Sequence, residues 1–370
     1  MTGRRGFALA MVLWVLVIGA TLLTLALLVA VQEQRASGAE RRLQHGFADA
    51  EAGLAAALGV WTPPALRLLL PGSFDSLAIG GTVDGGGRPW RGVLRRLSPT
   101  LFLVEVSVEA LPEDGAGPLR AQVRLGRLVE TRVTPVAVSA ALSVGGAAVL
   151  GADTRVDGRD TIPPWRADCP PPDSGVAGLA AGSATIAAGA LVAGAPPVLL
   201  RAVTDSSLAP ADSAVFDQLA RRATLVLPGG PWATHPATVG TACDDRDLSN
   251  WGAPTDPLSP CWEYLPVVHV SGDLTLASGD GQGILLVDGD LSIGTSYTFY
   301  GLVVVRGRIN VSASPGGAAI FGGVAAGAVG TPSQPAAGVT IRYSKCIIDN
   351  VLLSSGVLIP LPSRAWKQLY

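Results

Sequence analysis

The sequence predicts an α+β protein, mostly β: a long N-terminal transmembrane helix, a small antiparallel sheet, and a C-terminal parallel β-helix-like solenoid. Three observations carry that expectation. Residues 7–31 form a run of 25 without a charge. Segments 101–109 and 121–129 alternate apolar and polar side chains. Three consecutive units starting at Val267, Ile284 and Leu302 repeat one pattern. Composition sets the frame for all three. Only 15% of the 370 residues are charged, against roughly 25% in ordinary soluble domains. The 27 basic and 29 acidic side chains leave a formal net charge of −2. That balance lacks the basic footprint a nucleic-acid partner requires.

The helix comes first. Between Phe7 and Val31 only Thr21 and Thr24 are polar. At about 1.5 Å per residue the run spans roughly 37 Å, enough for a bilayer core of about 30 Å. It is too long for the apolar region of a cleaved signal peptide, about 7–15 residues. No second run approaches this length, so one crossing is the most the chain makes. Past Val31 an apolar stripe continues through Ala36, Ala39, Leu43, Phe47, Ala50, Leu54, Ala57 and Trp61. Its spacing averages about 3.6, the helical period. Pro63 and Pro64 stop it. The helix therefore covers 7–59, with 7–31 in the membrane and the later stripe laid on a folded head.

Residues 60–135 supply that head. After a loop rich in glycine and proline, Val104–Glu109 and Ala121–Val129 alternate, separated by Pro112 and the Gly115–Pro118 stretch. This is a hairpin signal, and the small antiparallel sheet it forms covers the helix stripe.

From 136 to 370 the chain turns Gly-rich. Val267–Leu276, Ile284–Ile293 and Leu302–Val311 each read as four mostly apolar residues, a variable residue, Gly, a polar residue, then alternation. Periods near 20 signal solenoids, and glycine permits the bend between short strands. Gly323–Gly327 reads as a weaker fourth turn, with Gly323 in the place of Gly283 and Gly301. Tandem hairpins are the competing arrangement. The all-apolar runs Ile284–Val287 and Leu302–Val305 favour strands buried on both faces. Asp212–Arg222 reads as a short helix with Phe216 and Leu219 facing inward.

Four cysteines follow the apolar run, and an even count in an exported domain favours disulfides. Cys243 and Cys261 bracket a loop rich in proline and tryptophan and form the expected pair, which leaves Cys169 with Cys346 by elimination. The spacing holds no C-x₂-C and no nearby His pair, so no metal site is expected. Asp273, Asp288 and Asp290 recur at the bends, where Asp beside Gly satisfies turn backbone. No catalytic motif and no cofactor motif occurs.

The N-terminus carries a resemblance. Met1-Thr2-Gly3-Arg4-Arg5-Gly6 followed by Phe7 resembles the class III signal of type IV pilin-like proteins. The resemblance implies that a prepilin peptidase cuts after Gly6, making 1–6 a leader, and that Phe7 becomes the N-methylated first residue. Met11 stands where major pilins carry Glu, as in minor pilins of the PilX type. Gly283–Leu291, Gly301–Gly307 and the ending Arg364-Ala365-Trp366 are similar to C-terminal regions of PilX-type assembly proteins. The implied protein is a structural, non-enzymatic minor pilin, single-pass in a bacterial inner membrane with its C-terminal domain outside the cytoplasm. After assembly it sits in a pilus or at the cell surface. Its implied partners are prepilin peptidase, other pilin subunits, inner-membrane pilus assembly proteins and a surface glycan. Its implied role is tip, adhesion or assembly priming. Two alternatives stay open on the residues: a membrane-anchored β-helix carbohydrate-active enzyme, and a carbohydrate-binding adhesin.

Overall fold

A computed structural model describes residues 5–61, 66, 69–70, 72–77, 90–110, 121–163, 166, 169–201, 213–311, 317–329, 338–362 and 366–369. The leader residues 1–4, most of 62–89, residues 111–120, and Arg364 and Ala365 lie outside them. The chain divides into two compact units. The first comprises Met1–Trp61, Leu69–Glu130 and Pro360–Tyr370, so the C-terminal segment counts here rather than with the Gly-rich region. The second comprises Thr62–Leu68 and Thr131–Ile359.

In the first unit, α1 runs unbroken over Arg5–Val60, 56 residues. That is roughly 80 Å at 1.5 Å per residue. Strands β1 (Phe74–Leu77), β2 (Trp90–Arg96), β3 (Leu101–Ala110) and β4 (Ala121–Arg132) form an antiparallel meander. The final strand of the chain, Trp366–Leu369, pairs antiparallel with β4, Trp366 opposite Arg127. The alternation read from sequence places Val104, Val106 and Val108 inward on β3, all 0–1% exposed. Helix α1 packs on β2 and β3, burying Ala50, Leu54, Ala57 and Trp61. Gly53 sets the approach: a Cβ there would lie 3.0 Å from Trp90 Cγ and 3.1 Å from Val106 Cγ1. Small residues on this face let helix and sheet backbones come close.

The burial of the stripe is partial. Ala36, Ala39 and Leu43 are exposed, and cover begins at Gly46. The sequence pattern gave the helix an apolar face along its whole second half. The short sheet covers only the last four turns of it.

The second unit contains β5 (Ala140–Leu150), β6 (Arg155–Asp157), β7 (Ala177–Ile186), β8 (Leu191–Ala193), β9 (Val198–Leu200), α2 (Ser213–Ala220) and β10 (Leu225–Trp232). A two-strand ribbon follows, β11 (Thr238–Val239) and β12 (Ala242–Cys243). Then come β13 (Val267–Val287), β14 (Leu291–Val311), β15 (Ala318–Val329), β16 (Val339–Tyr343), α3 (Lys345–Ser354) and β17 (Val357–Pro360). The segment Trp366–Leu369 of the first unit is β18.

Ten of these strands form one sheet, and its pairings are parallel. Parallel pairing rules out the hairpin arrangement. The predicted repeats lie in register: Ile284 pairs Leu302 and Val287 pairs Val305. The predicted fourth turn is shifted by one residue. Gly322, not Gly323, pairs Gly301. Gly323 takes the position of Leu302, and a Cβ on it would lie 3.2 Å from Ile348 Cδ1 of α3.

The stack is not traversed in sequence order. From β10 it runs β13, β14, β15, then continues along two branches, β16-β6-β8 and β5-β7-β9. The chain thus enters beside β15, builds outward to β9, crosses through α2 to β10, and returns to meet its own beginning. Short runs near 148 and 191 belong to the same stack as the repeats at 267–311. At the β10 end, Pro228 and Pro231 lack N–H donors and blunt the edge.

Ile284–Val287 and Leu302–Val305 are all at most 1% exposed, as strands covered on both sides should be. The outer cover is helical: α2 packs on β13, and α3 on β14 and β15. Phe216 and Leu219 of α2 are fully buried. One stacked column of glycines is obligatory. Gly283, Gly301 and Gly322 have φ of 109°, 154° and 136°. A Cβ on Gly301 would run into the carbonyl oxygen of Gly283, and one on Gly322 into that of Gly301.

Candidate functional site

The apolar half of α1 is the first candidate. It is the one helix among the described residues long and apolar enough to cross a membrane. From Met11 to Val31 every residue is exposed. Its two polar side chains are satisfied within the helix. Thr21 Oγ1 donates to the carbonyls of Val17 (3.0 Å) and Ile18 (2.9 Å), and Thr24 Oγ1 to those of Ala20 (3.0 Å) and Thr21 (2.9 Å). Hydroxyls bonded within the helix suit an apolar surround, where an unmet donor is costly. Gly6 and Phe7 both lie in the helix, within its first turn.

The cysteines are all consumed. Cys169 bonds Cys346 and Cys243 bonds Cys261, and no thiol is free. This removes them as nucleophiles or metal ligands. The first bridge ties the loop after β6 to the first turn of α3. The second closes a loop around two buried anchors, Asn250 and Trp251. Asn250 Nδ2 donates to the carbonyls of Asp244 (2.6 Å) and Ala237 (3.1 Å). Gln282 Nε2, from β13, donates to the carbonyls of Trp262 (2.8 Å), Tyr264 (2.9 Å) and Cys261 (3.1 Å). Burial beside Asp245 raises the Tyr264 hydroxyl to about 12.

The aspartates at the bends serve backbone. Asp273 accepts from the N–H of Asp290, and Asp290 from the N–H of Arg308, each at 2.8 Å and each reaching one turn onward. Asp288 is different. It accepts from Arg306 at 2.8 Å and contacts His269 at 3.0 Å. Arg306 also pairs with Asp217 at 2.5 Å and lies 4.0 Å over the Phe216 ring. Phe216 meets His269 edge-on. This cluster clamps α2 onto the stack. Among the described residues no group of three metal-ligating side chains occurs.

A second candidate lies on the outer face of β16, β6 and β8. A cavity of about 330 Å³ opens there. The register forms two rows across the strands: Thr340–Arg155–Leu191 and Arg342–Asp157–Ala193. Arg159 grips the Asp157 carboxylate through Nε (2.9 Å) and Nη2 (2.6 Å). That hydrogen bond holds Asp157 below the usual carboxylate range. Arg342 lies 5.8 Å from the Phe321 ring, which stacks on Tyr300 at 4.8 Å. Sequence reasoning did not find this site, because Arg155 and Arg342 are brought together only where the returning chain meets its start.

No family model, curated protein or solved structure matches this chain.

Proposed function

We propose that the chain is a minor pilin-like structural subunit of a type IV pilus or a related secretion machine. One observation carries the reading: a basic leader ending Gly6-Phe7 opens directly onto an uncharged, exposed run in a single unbroken helix. The far end of that same helix is buried on an antiparallel sheet. In this reading prepilin peptidase cuts between Gly6 and Phe7, and the run is held first by the inner membrane and then by neighbouring pilin subunits. Met11 in place of a carboxylate suits a subunit at a tip or priming position, where no neighbour's amine needs a partner; an unpaired carboxylate there would be expensive. The parallel stack is a β-helix-like solenoid with turns of 17 and 18 residues between Val267, Ile284 and Leu302, displayed outward. The body's role is structural, with no catalytic residue invoked.

Mass spectrometry of the mature N-terminus tests this. In a host with active prepilin peptidase, the protein starts at methylated Phe7, and Gly6→Ala blocks processing while both disulfides still form. A start at Met1 or Thr2 in that host refutes the reading.

A further inference from the structure

We propose that the outer face of β16, β6 and β8 binds an acidic saccharide segment, its carboxylates held by Arg155 and Arg342. The site belongs wholly to the second unit and does not depend on how α1 is processed.

Three arginines and one carboxylate line the groove, an excess of positive charge. Asp157 and Arg159 neutralise each other through their two-point contact, which leaves Arg155 and Arg342 available to a ligand. Neighbouring strands lie about 4.8 Å apart, and residues two positions along a strand about 6.6 Å apart. Arg342 aligns with Asp157, two positions beyond Arg155, so the two Cα atoms are roughly 8 Å apart diagonally. That separation lets the two guanidiniums reach separate anionic groups on one ligand. Guanidinium forks match carboxylates in two-point geometry.

The rest of the groove selects the ligand's body. The Asp157 carboxylate, held by Arg159, keeps a negative group in the groove opposite Arg342, which opposes a chain of closely spaced phosphates. Thr340 adds a hydroxyl. Leu191, on an outward position of β8, is 56% exposed and offers an apolar wall to the C–H face of a sugar ring. A ligand with hydroxyls, spaced carboxylates and C–H faces is a uronate-type oligosaccharide.

The full-length chain in detergent is titrated by calorimetry with oligogalacturonate, its methyl ester, and inorganic polyphosphate. Binding is expected for the oligogalacturonate alone, weakening with added salt. Each of Arg155→Ala and Arg342→Ala weakens it roughly tenfold, as loss of a charge-assisted contact should. Arg342→Lys, which keeps charge and loses the fork, gives an intermediate loss. Both arginines are exposed, and an unchanged thermal unfolding midpoint verifies that each variant is folded. Lack of oligogalacturonate binding overturns the proposal. So does equal binding of the methyl ester or polyphosphate, or binding that the folded arginine variants leave unchanged.

Discussion

The first 60 residues and the stack at 131–359 are both rich in alanine, valine and leucine, and they place them in opposite ways. In α1 the apolar side chains of 11–31 point outward on all sides of one helix. In the stack the same residue types are at most 1% exposed over whole runs such as Leu302–Val305. The difference is punctuation. The helix run has Gly19 as its one glycine and no proline, so nothing stops the i→i−4 ladder. The stack opens its runs at Ile284 and Leu302 with Gly283 and Gly301, in a conformation other residues rarely adopt. Hydrophobicity alone does not make a core; the spacing of breakers decides whether apolar segments fold back on one another.

The largest test of that contrast is Gly301→Val. It places a side chain against the Gly283 carbonyl at positive φ, and a cost of about 5 kcal/mol or more is expected. Limited proteolysis should show the stack lost, while circular dichroism retains the helical signal of α1. An intact stack would mean that glycines do not govern the bends. Next are the bridges. The chain-entropy model gives roughly 5 kcal/mol for Cys169–Cys346, separated by 177 residues, and about 3 kcal/mol for Cys243–Cys261, separated by 18. Paired Cys→Ser variants followed by thermal unfolding should rank in that order. Gly53→Leu is smaller, about 1–3 kcal/mol from overpacking against Trp90. Hydrogen exchange should rise at 46–61 and stay unchanged in β13 and β14.

The smallest effect is Asp349→Asn in α3. Partial desolvation on α3 raises the Asp349 carboxyl above its usual value, so its ionised form is disfavoured in the folded protein. Stability from this group is therefore greatest at low pH and falls as pH rises through the raised pKa. The amide should stabilise by a few tenths of a kcal/mol at pH 7. The gain should vanish below about pH 3, where the acid is protonated in both states.

Much of this was legible in the residues. The helix, the alternating strands, the repeat at 267–311 and α2 each leave a period in the sequence. The pairing of four cysteines followed from one bracketed loop. What stayed hidden has a common cause. Helix α3 is only ten residues, Lys345–Ser354, with no side-chain cap on Ser344, and its apolar residues fall in two short runs, Ile347-Ile348 and Val351–Leu353. The register of Gly322 rather than Gly323 is set by the Gly301 carbonyl, which a Cβ on residue 322 would strike, and two adjacent glycines do not announce which of them meets it. The arginine groove depends on β16 lying beside β6, and no local pattern announces which distant strands become neighbours.

The route of the chain through the stack also fixes an order in time. Synthesis delivers β5, β7 and β9 first, with the edge of β5 that will meet β15 still bare. It then starts a second block at β10 and extends that block toward the first. The pairing of Leu142 with Val324 is central in space and waits for β15, and only the β16 pairings, such as Ile341 with Val156, come later. Until residue 329 exists, a growing chain carries two half-built sheets with open edges facing the same gap, the condition that favours pairing with the wrong strand. A nascent chain stalled before β15 is therefore the species most in need of a chaperone, and the finished stack is joined at its middle rather than completed at an end.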